Sequence, residues 1–294
     1  VLERERLREP PVRAEFDRPR LDASNIGEIE RPLSAWERIT NVTLVRRLAI
    51  LAAIALAWEA YARYVDNPLM FPSFSEMLTA FAETTRRGEM LAYAWGSVSV
   101  LLLGYAAGIA CAAVLTGLAV STRIGNDFLG TITAMFNPLP AIALLPLAML
   151  WFGLGTPSLV FVLVHAVLWP LALNTHSGFM AVSETMRMVG ANYGLTGINY
   201  VARLLIPAAF PAILTGLKIG WAFAWRTLIA AELVFGAGGG GGGLGWFIFQ
   251  SRNELLTAHV FAGLTAVITI GLLVESVIFR AIEARTVRRW GMQR

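Results

Sequence analysis

Six long apolar runs, separated by short polar stretches, dominate the chain from residue 48 onward. A bilayer core about 30 Å thick needs roughly 20 residues of helix at about 1.5 Å each. Residues 48–65, 97–120, 128–152, 157–180, 208–235 and 260–282 meet or approach that length, so the pattern predicts about six transmembrane helices. The fold class expected is an all-α integral membrane protein in three parts: an arginine-rich N-terminal tail (1–47), a membrane domain (48–283) and a C-terminal tail (284–294). The tail combines many Arg, Glu and Asp with Pro10, Pro11, Pro19 and Pro32 and lacks a sustained apolar period, so it reads as solvated and partly disordered. Because the first apolar run begins near Leu48, it reads as a retained span and not as a cleaved leader.

One stretch departs from the pattern. SETMRMVGANYGLTGINYVARLLIPAAFP, 183–211, lies between the fourth and fifth apolar runs and is the least apolar part of the second half. Ser183 suits an N-cap, Glu184 suits the first turn of a helix, and Gly194 suits the stop. A second short helix then starts near Gly197 and Asn199. Pro207 lacks an amide donor and disfavours helix at Ile206, which predicts a bend into the fifth span. Met186, Met188, Val189 and Tyr193 are more apolar than a solvated loop requires. They suit a partner surface that accepts methionine and aromatic side chains, or a loop folded back on its own bundle.

Composition and charge narrow the class. With 56% hydrophobic residues, 15% charged residues and a mean hydropathy of +0.60, the chain lies outside the usual balance of a water-soluble domain. Its isoelectric point near 9.6 raises nucleic acid as a partner, but the arginines are scattered and no aromatic-interleaved basic patch exists. Arg46, Arg47, Arg123, Arg187, Arg203, Arg280, Arg285, Arg288 and Arg289 fall on one side of a six-span topology, and Arg86, Arg87 and Arg252 on the other. The positive-inside rule therefore puts both termini, and the 183–211 stretch, in the cytoplasm. The single cysteine, Cys111, excludes an internal disulfide or thiolate metal site and reads as a small buried hydrophobe.

Spacing in the polar stretch resembles that of the permease subunits of binding-protein-dependent ABC importers of type I. Their cytoplasmic loop carries E-A-A, three residues, G, nine residues and I-x-L-P. With the glycine at Gly194, the proline falls on Pro207, preceded by Leu204, Leu205 and Ile206, while the E-A-A slots fall on Met188, Val189 and Gly190. The glutamate is thus replaced, and the next two positions keep small or apolar character. Further likeness to the nitrate, sulfonate and taurine branch includes AWEAY (57–61), FPSFSEML (71–78), PLPAIALLPLAMLWFGLG (138–155), AAEL (230–233) and LGWFIF (244–249). The resemblance implies a cytoplasmic coupling helix between the fourth and fifth spans, with Met186, Met188, Val189, Gly190, Tyr193, Gly194, Gly197 and Pro207 as coupling positions. It further implies a homodimer in a bacterial cytoplasmic (inner) membrane, cytoplasmic ABC ATPase subunits and a periplasmic or lipid-anchored substrate-binding protein. No G-x-x-x-x-G-K-[ST] motif occurs, so ATP and Mg are expected on the ATPase and no cofactor or metal on this chain.

The polyglycine run 238–243 satisfies G-x-G-x-x-G, but no strand precedes it, and it reads as a flexible link to a short amphipathic segment at 244–250. Candidate pathway residues come from polar positions inside the spans. Arg226 and Glu232 are ionisable, cost about 2.5–3.5 kcal/mol each at mid-bilayer, and so should face the protein interior or a water-filled cavity. Their spacing of six residues does not put them on one helix face. Arg226, flanked by Trp225 and Thr227, suits a carboxylate or sulfonate held by bidentate bonds, or else a structural pair with Glu59 or with carbonyls of another helix. Glu232 suits a cap or brace at the outer gate. Asn137 and Pro140, with Pro138 and Pro146, mark freed backbone in the third span, and His165 suits a helix contact or a proton carrier. Gly104, Gly108, Ala112 and Gly117 allow close helix crossing. The functional expectation is a permease for a small anion of the nitrate, sulfonate, taurine or carboxylate class. The alternative is an ion-coupled secondary transporter acting without an ATPase, which midplane carboxylates and internal repeats would mark.

Overall fold

The computed structural model describes residues 41–235 and 242–289; the N-terminal tail up to residue 40 and most of the polyglycine run lie outside the described residues. Residues 1–55 and 56–294 form separate units. The described part of the first unit carries the start of α1 (Thr43–Val65), where Leu48, Ile50 and Leu51 are exposed, as lipid-facing side chains are. Among the described residues every regular element is helical.

In the second unit, α2 (Phe74–Arg86) starts on a reciprocal cap: Ser73 accepts from the Glu76 amide, and Glu76 accepts from the Ser73 amide at 2.8 Å. α3 (Glu89–Ser121) follows and crosses α6 (Thr156–Met180), which is the central helix. In the most apolar window of α6 61% of residues are buried, against 28% or less in the other four long helices. Lipid tails are as apolar as leucine, so close packing, not water exclusion, must hold these helices together. Gly104 and Gly108 supply it, because a Cβ on either would meet Leu163 or Val167 of α6 within 2.5–2.7 Å. Ala112 and Thr116 continue the buried stripe, whereas Gly117 faces open space and takes no part in the crossing. Cys111 points off that stripe and is exposed, not buried.

The third apolar run is not one straight span. α4 (Arg123–Phe136) ends at Asn137, and a short 3-10 turn (Ala141–Leu144) leads into α5 (Leu145–Phe152) after a bend of 87°. Pro138 and Pro140 remove two amide donors in succession, and Pro140 adopts an extended conformation (φ −61°, ψ 121°) that no α-helix contains. Among the described residues there are five long apolar helices, or six spans if this bent pair counts as one.

α7 (Glu184–Asn192) starts at Ser183, whose side chain accepts from the Met186 amide at 3.4 Å. It ends in a Schellman motif: Gly194 sits at φ +70°, its amide donates to Ala191, and the Leu195 amide donates to Gly190 at 3.0 Å. α8 (Gly197–Tyr200), a π segment (Val201–Leu205) and α9 (Ile206–Phe235) then run as one helix. The bend expected at Pro207 is absent. The Ile206 amide reaches back five residues to Val201, and this wider turn just ahead of Pro207 makes room for the ring that would otherwise strike the carbonyl of Arg203. After α10 (Leu244–Asn253) the chain closes with α11 (Thr257–Leu273), a second π segment (Val274–Phe279) and α12 (Arg280–Arg285).

Candidate functional site: a cavity and an exposed helix

The break between α4 and α5 opens a cavity of about 310 Å³ against α6 and α9. Its walls include the irregular backbone at Asn137, Pro138 and Pro140, with His165 and Trp169 from α6 and Phe223, Arg226 and Thr227 from α9. Irregular backbone at membrane depth is tolerated where it lines such a space. Phe136 stacks on Trp169 at 5.6 Å and 11°, and His165 meets the edge of Trp169 at 5.9 Å, so aromatic rings form one side. Pro170 deprives the Ala166 carbonyl of its helical donor, and both residues face the cavity.

Arg226 is the cation of this cavity. Its Nε donates to the Ala222 carbonyl at 3.0 Å and its guanidinium carbon lies 5.0 Å from the Phe223 ring centre, while among the described residues no carboxylate lines the space. The pairing with Glu59 does not form. That carboxylate accepts from the Ser75 amide and hydroxyl, both at 3.0 Å, and meets Arg63 at 2.7 Å. His165 Nε2 and Trp169 Nε1 are buried without a hydrogen-bond partner among the described residues. Unpaired buried polar atoms cost about 1–3 kcal/mol each, and an incoming acceptor would relieve that of the Trp169 indole N–H.

Two of the expected pathway residues lie elsewhere. Trp225 is buried on another face of α9 and donates through Nε1 to Val267 of α11 at 3.2 Å. Glu232, 2% exposed, accepts from Ser97 Oγ at 2.7 and 3.0 Å and from the Gly245 amide at 2.9 Å, while Ser97 Oγ accepts from the Leu244 amide at 2.8 Å. A carboxylate and a hydroxyl thus satisfy the first amides of α10, where helix polarity favours negative charge. Ser97 carries no signal in sequence, being a small polar residue in an apolar run.

The second feature is α7. Met186, Met188, Val189 and Tyr193 are all exposed, Tyr193 at 81%, and so is Ile198 beyond it. Gly190 faces the other way: a Cβ there would strike Leu204 and touch the Tyr200 ring, so the turn is closed down on α8 and the π segment. Arg187, which the sequence offered only as one positive charge among several, holds α7 in place. Its guanidinium donates to the carbonyls of Phe179 (2.6 Å) and Val182 (3.1 Å) at the end of α6 and to the Tyr200 hydroxyl (3.2 Å).

Residues 101–290 match the family described as binding-protein-dependent transport system inner membrane component. The chain is similar to the taurine transport system permease protein TauC of Escherichia coli, 30% identical over 258 residues that cover 85% of this chain and 90% of that protein. It is 34% identical to the nitrate import permease protein NrtB of a Synechocystis strain over 169 residues, 56% of this chain and 60% of that protein. A third relative, named for aliphatic sulfonates transport in Escherichia coli, is 27% identical over 206 residues, 70% of this chain and 77% of that protein. These relatives are permeases of ABC importers, and they leave the ion-coupled alternative without support. The chain therefore belongs to the binding-protein-dependent transport system inner membrane component family and is a multi-pass permease of an ABC importer.

Proposed function

We propose that the cavity between α4, α6 and α9 is the translocation site for a small anion of the nitrate, sulfonate, taurine or carboxylate class, with Arg226 as its cationic contact. The observation that carries this reading is a guanidinium with most of its donors uncommitted, in a cavity lined by no carboxylate among the described residues. An arginine can hold two oxygens of a planar or tetrahedral anion at once. The transported anions in the names of the relatives fit that chemistry.

The coupling reading rests on α7. Two copies of the permease pair in a bacterial inner membrane, among lipids and with cytoplasmic termini, and each presents Met186, Met188, Val189 and Tyr193 to a cytoplasmic ATPase that binds ATP and Mg. Gly190, Gly194 and Gly197 let α7 fold tightly against α8, and Pro207 sits in the helix that continues from it. A substrate-binding protein, periplasmic or lipid-anchored, delivers the cargo.

Arg226→Ala tests the anion reading. In vesicles holding the permease, its ATPase and its binding protein, uptake of labelled nitrate, taurine and an alkanesulfonate should fall at least tenfold for whichever is carried. Co-purification of the ATPase should be unchanged. Unaltered uptake would remove Arg226 from the pathway.

A further inference from the structure

A second cavity, about 250 Å³, lies on a neighbouring face of α9, between that helix and the last span. Lys218, Trp221, Trp225 and Arg226 line it from α9, and Glu275 and Phe279 from the second π segment. Arg226 is common to both cavities, and only the second contains a carboxylate that has no partner.

The register between the two helices brings Arg226 and Glu275 to one level. Lys218 Nζ meets Glu283 Oε2 at 2.6 Å, Trp221 and Phe279 ring centres are 6.4 Å apart, and Trp225 Nε1 reaches the Val267 carbonyl at 3.2 Å. These contacts run antiparallel, so Glu275 stands opposite the turn that contains Ala222. Arg226 starts one turn further on but folds back to Ala222, where its Nε donates at 3.0 Å. Arg226 and Glu275 thus line one cavity from facing helices, with no direct ion pair between them. Lys218 is already committed to Glu283, and Arg226 is then the uncommitted cation of this cavity.

Glu275 lies within the apolar helix Thr257–Arg285 and makes no hydrogen bond or ion pair among the described residues. An ionised carboxylate inside a span costs about 2.5–3.5 kcal/mol unless a partner or water meets it. π segments are rare and cluster at functional positions, and this one carries Glu275, which lines the cavity that Arg226 shares. We propose that Glu275 is the counter-charge to Arg226 across this cavity in the unloaded permease, acting through space without direct contact. On the anion reading of the first cavity, cargo takes over from Glu275 the balancing of the guanidinium charge as it binds. Glu275 is, like Arg226 and Glu232, an ionisable residue inside an apolar run, and the same cost applies to it.

The test needs no cargo. Thermal melting of the purified permease–ATPase complex is measured for the wild type, Arg226→Gln, Glu275→Gln and the double variant, with no transported anion added. Each single change should lower Tm by about 2–4 °C, and the double change should lower it no further than the larger single. The reversed pair, Arg226→Glu with Glu275→Arg, should recover most of what Arg226→Glu alone loses. Additive shifts, an unchanged Tm for Glu275→Gln, or no recovery by the reversed pair would overturn the pairing. These results are independent of uptake: a non-additive cycle with unaltered Arg226→Ala uptake would keep the pair and sink the anion reading, and the converse would do the reverse.

Discussion

Ionisable side chains within the spans divide by what surrounds them. Glu232 is enclosed and fully used: two amides of α10, one of them through Ser97, end on its carboxylate. Removing it as Glu232→Ala leaves Ser97 and the Gly245 amide without an acceptor in a buried place, a loss of about 1–3 kcal/mol. Melting of the detergent-solubilised permease should therefore drop by several degrees for Glu232→Ala and by less for Glu232→Gln, which keeps one oxygen acceptor. Equal melting for the wild type and both variants would refute this role. Arg226 and Glu275 line cavities, so their substitution should act chiefly on cargo and charge balance, lowering Tm by only about 2–4 °C. Arg226 was readable as a costly charge in an apolar run. That Glu59 would be engaged by Ser75 and Arg63 was not, because Ser75 becomes its neighbour only when the turn after α1 brings α2 back against it.

The short helix α7 shows what local chemistry can specify. Its cap at Ser183 and its stop at Gly194 are set within a few residues of chain, and both are found where the residue types indicate. Its attachment is different in kind, since Arg187 reaches carbonyls of α6 and a hydroxyl of α8. With that anchor in place, the exposed side chains are free to serve a partner. The triple change Met186→Ala, Met188→Ala, Tyr193→Ala should reduce recovery of the ATPase with the permease at least tenfold, while the melting of the permease alone stays within about 1 °C. Apolar truncations in an interface core commonly cost more than 1 kcal/mol each, and exposed positions contribute little to the fold. Retained ATPase would return α7 to the role of a loop packed on its own bundle. The two proline sites behaved oppositely. Paired prolines around Leu139 broke the third apolar run, whereas Pro207 was carried through by a π turn, a change of hydrogen-bond register that residue types alone do not announce.

Arginine placement makes a prediction about the chain in its membrane. On the proposed orientation, with both termini cytoplasmic, cysteines introduced as Asn192→Cys and Arg289→Cys should react with an impermeant maleimide only from the cytoplasmic side, and Asn67→Cys and Arg252→Cys only from the other. Cys111 is exposed on α3, so these variants belong in a Cys111→Ser background. Labelling of Asn192→Cys and Asn67→Cys from one side would overturn the topology and with it the docking of an ATPase on α7. A fixed orientation also gives the long helix that begins at Gly197 a mechanical meaning. It connects the exposed helix α7 at one end to the Glu232 cap of α10 at the other, and passes Arg226 between them.

Span number, the caps of α7 and the loop spacing from Gly194 to Pro207 were legible along the chain because each depends on residues close in sequence: bilayer thickness counts consecutive apolar residues, and caps act within one turn. Which polar residues share a cavity was not legible. Asn137, at the end of α4, His165 and Arg226 come from three distant segments, and Glu275 lines the second cavity from a fourth, so their grouping depends on helix rotation and register. Those are decided by side-chain packing between distant segments, such as Gly104 against Leu163 and Lys218 against Glu283, and no stretch of the chain contains that information alone.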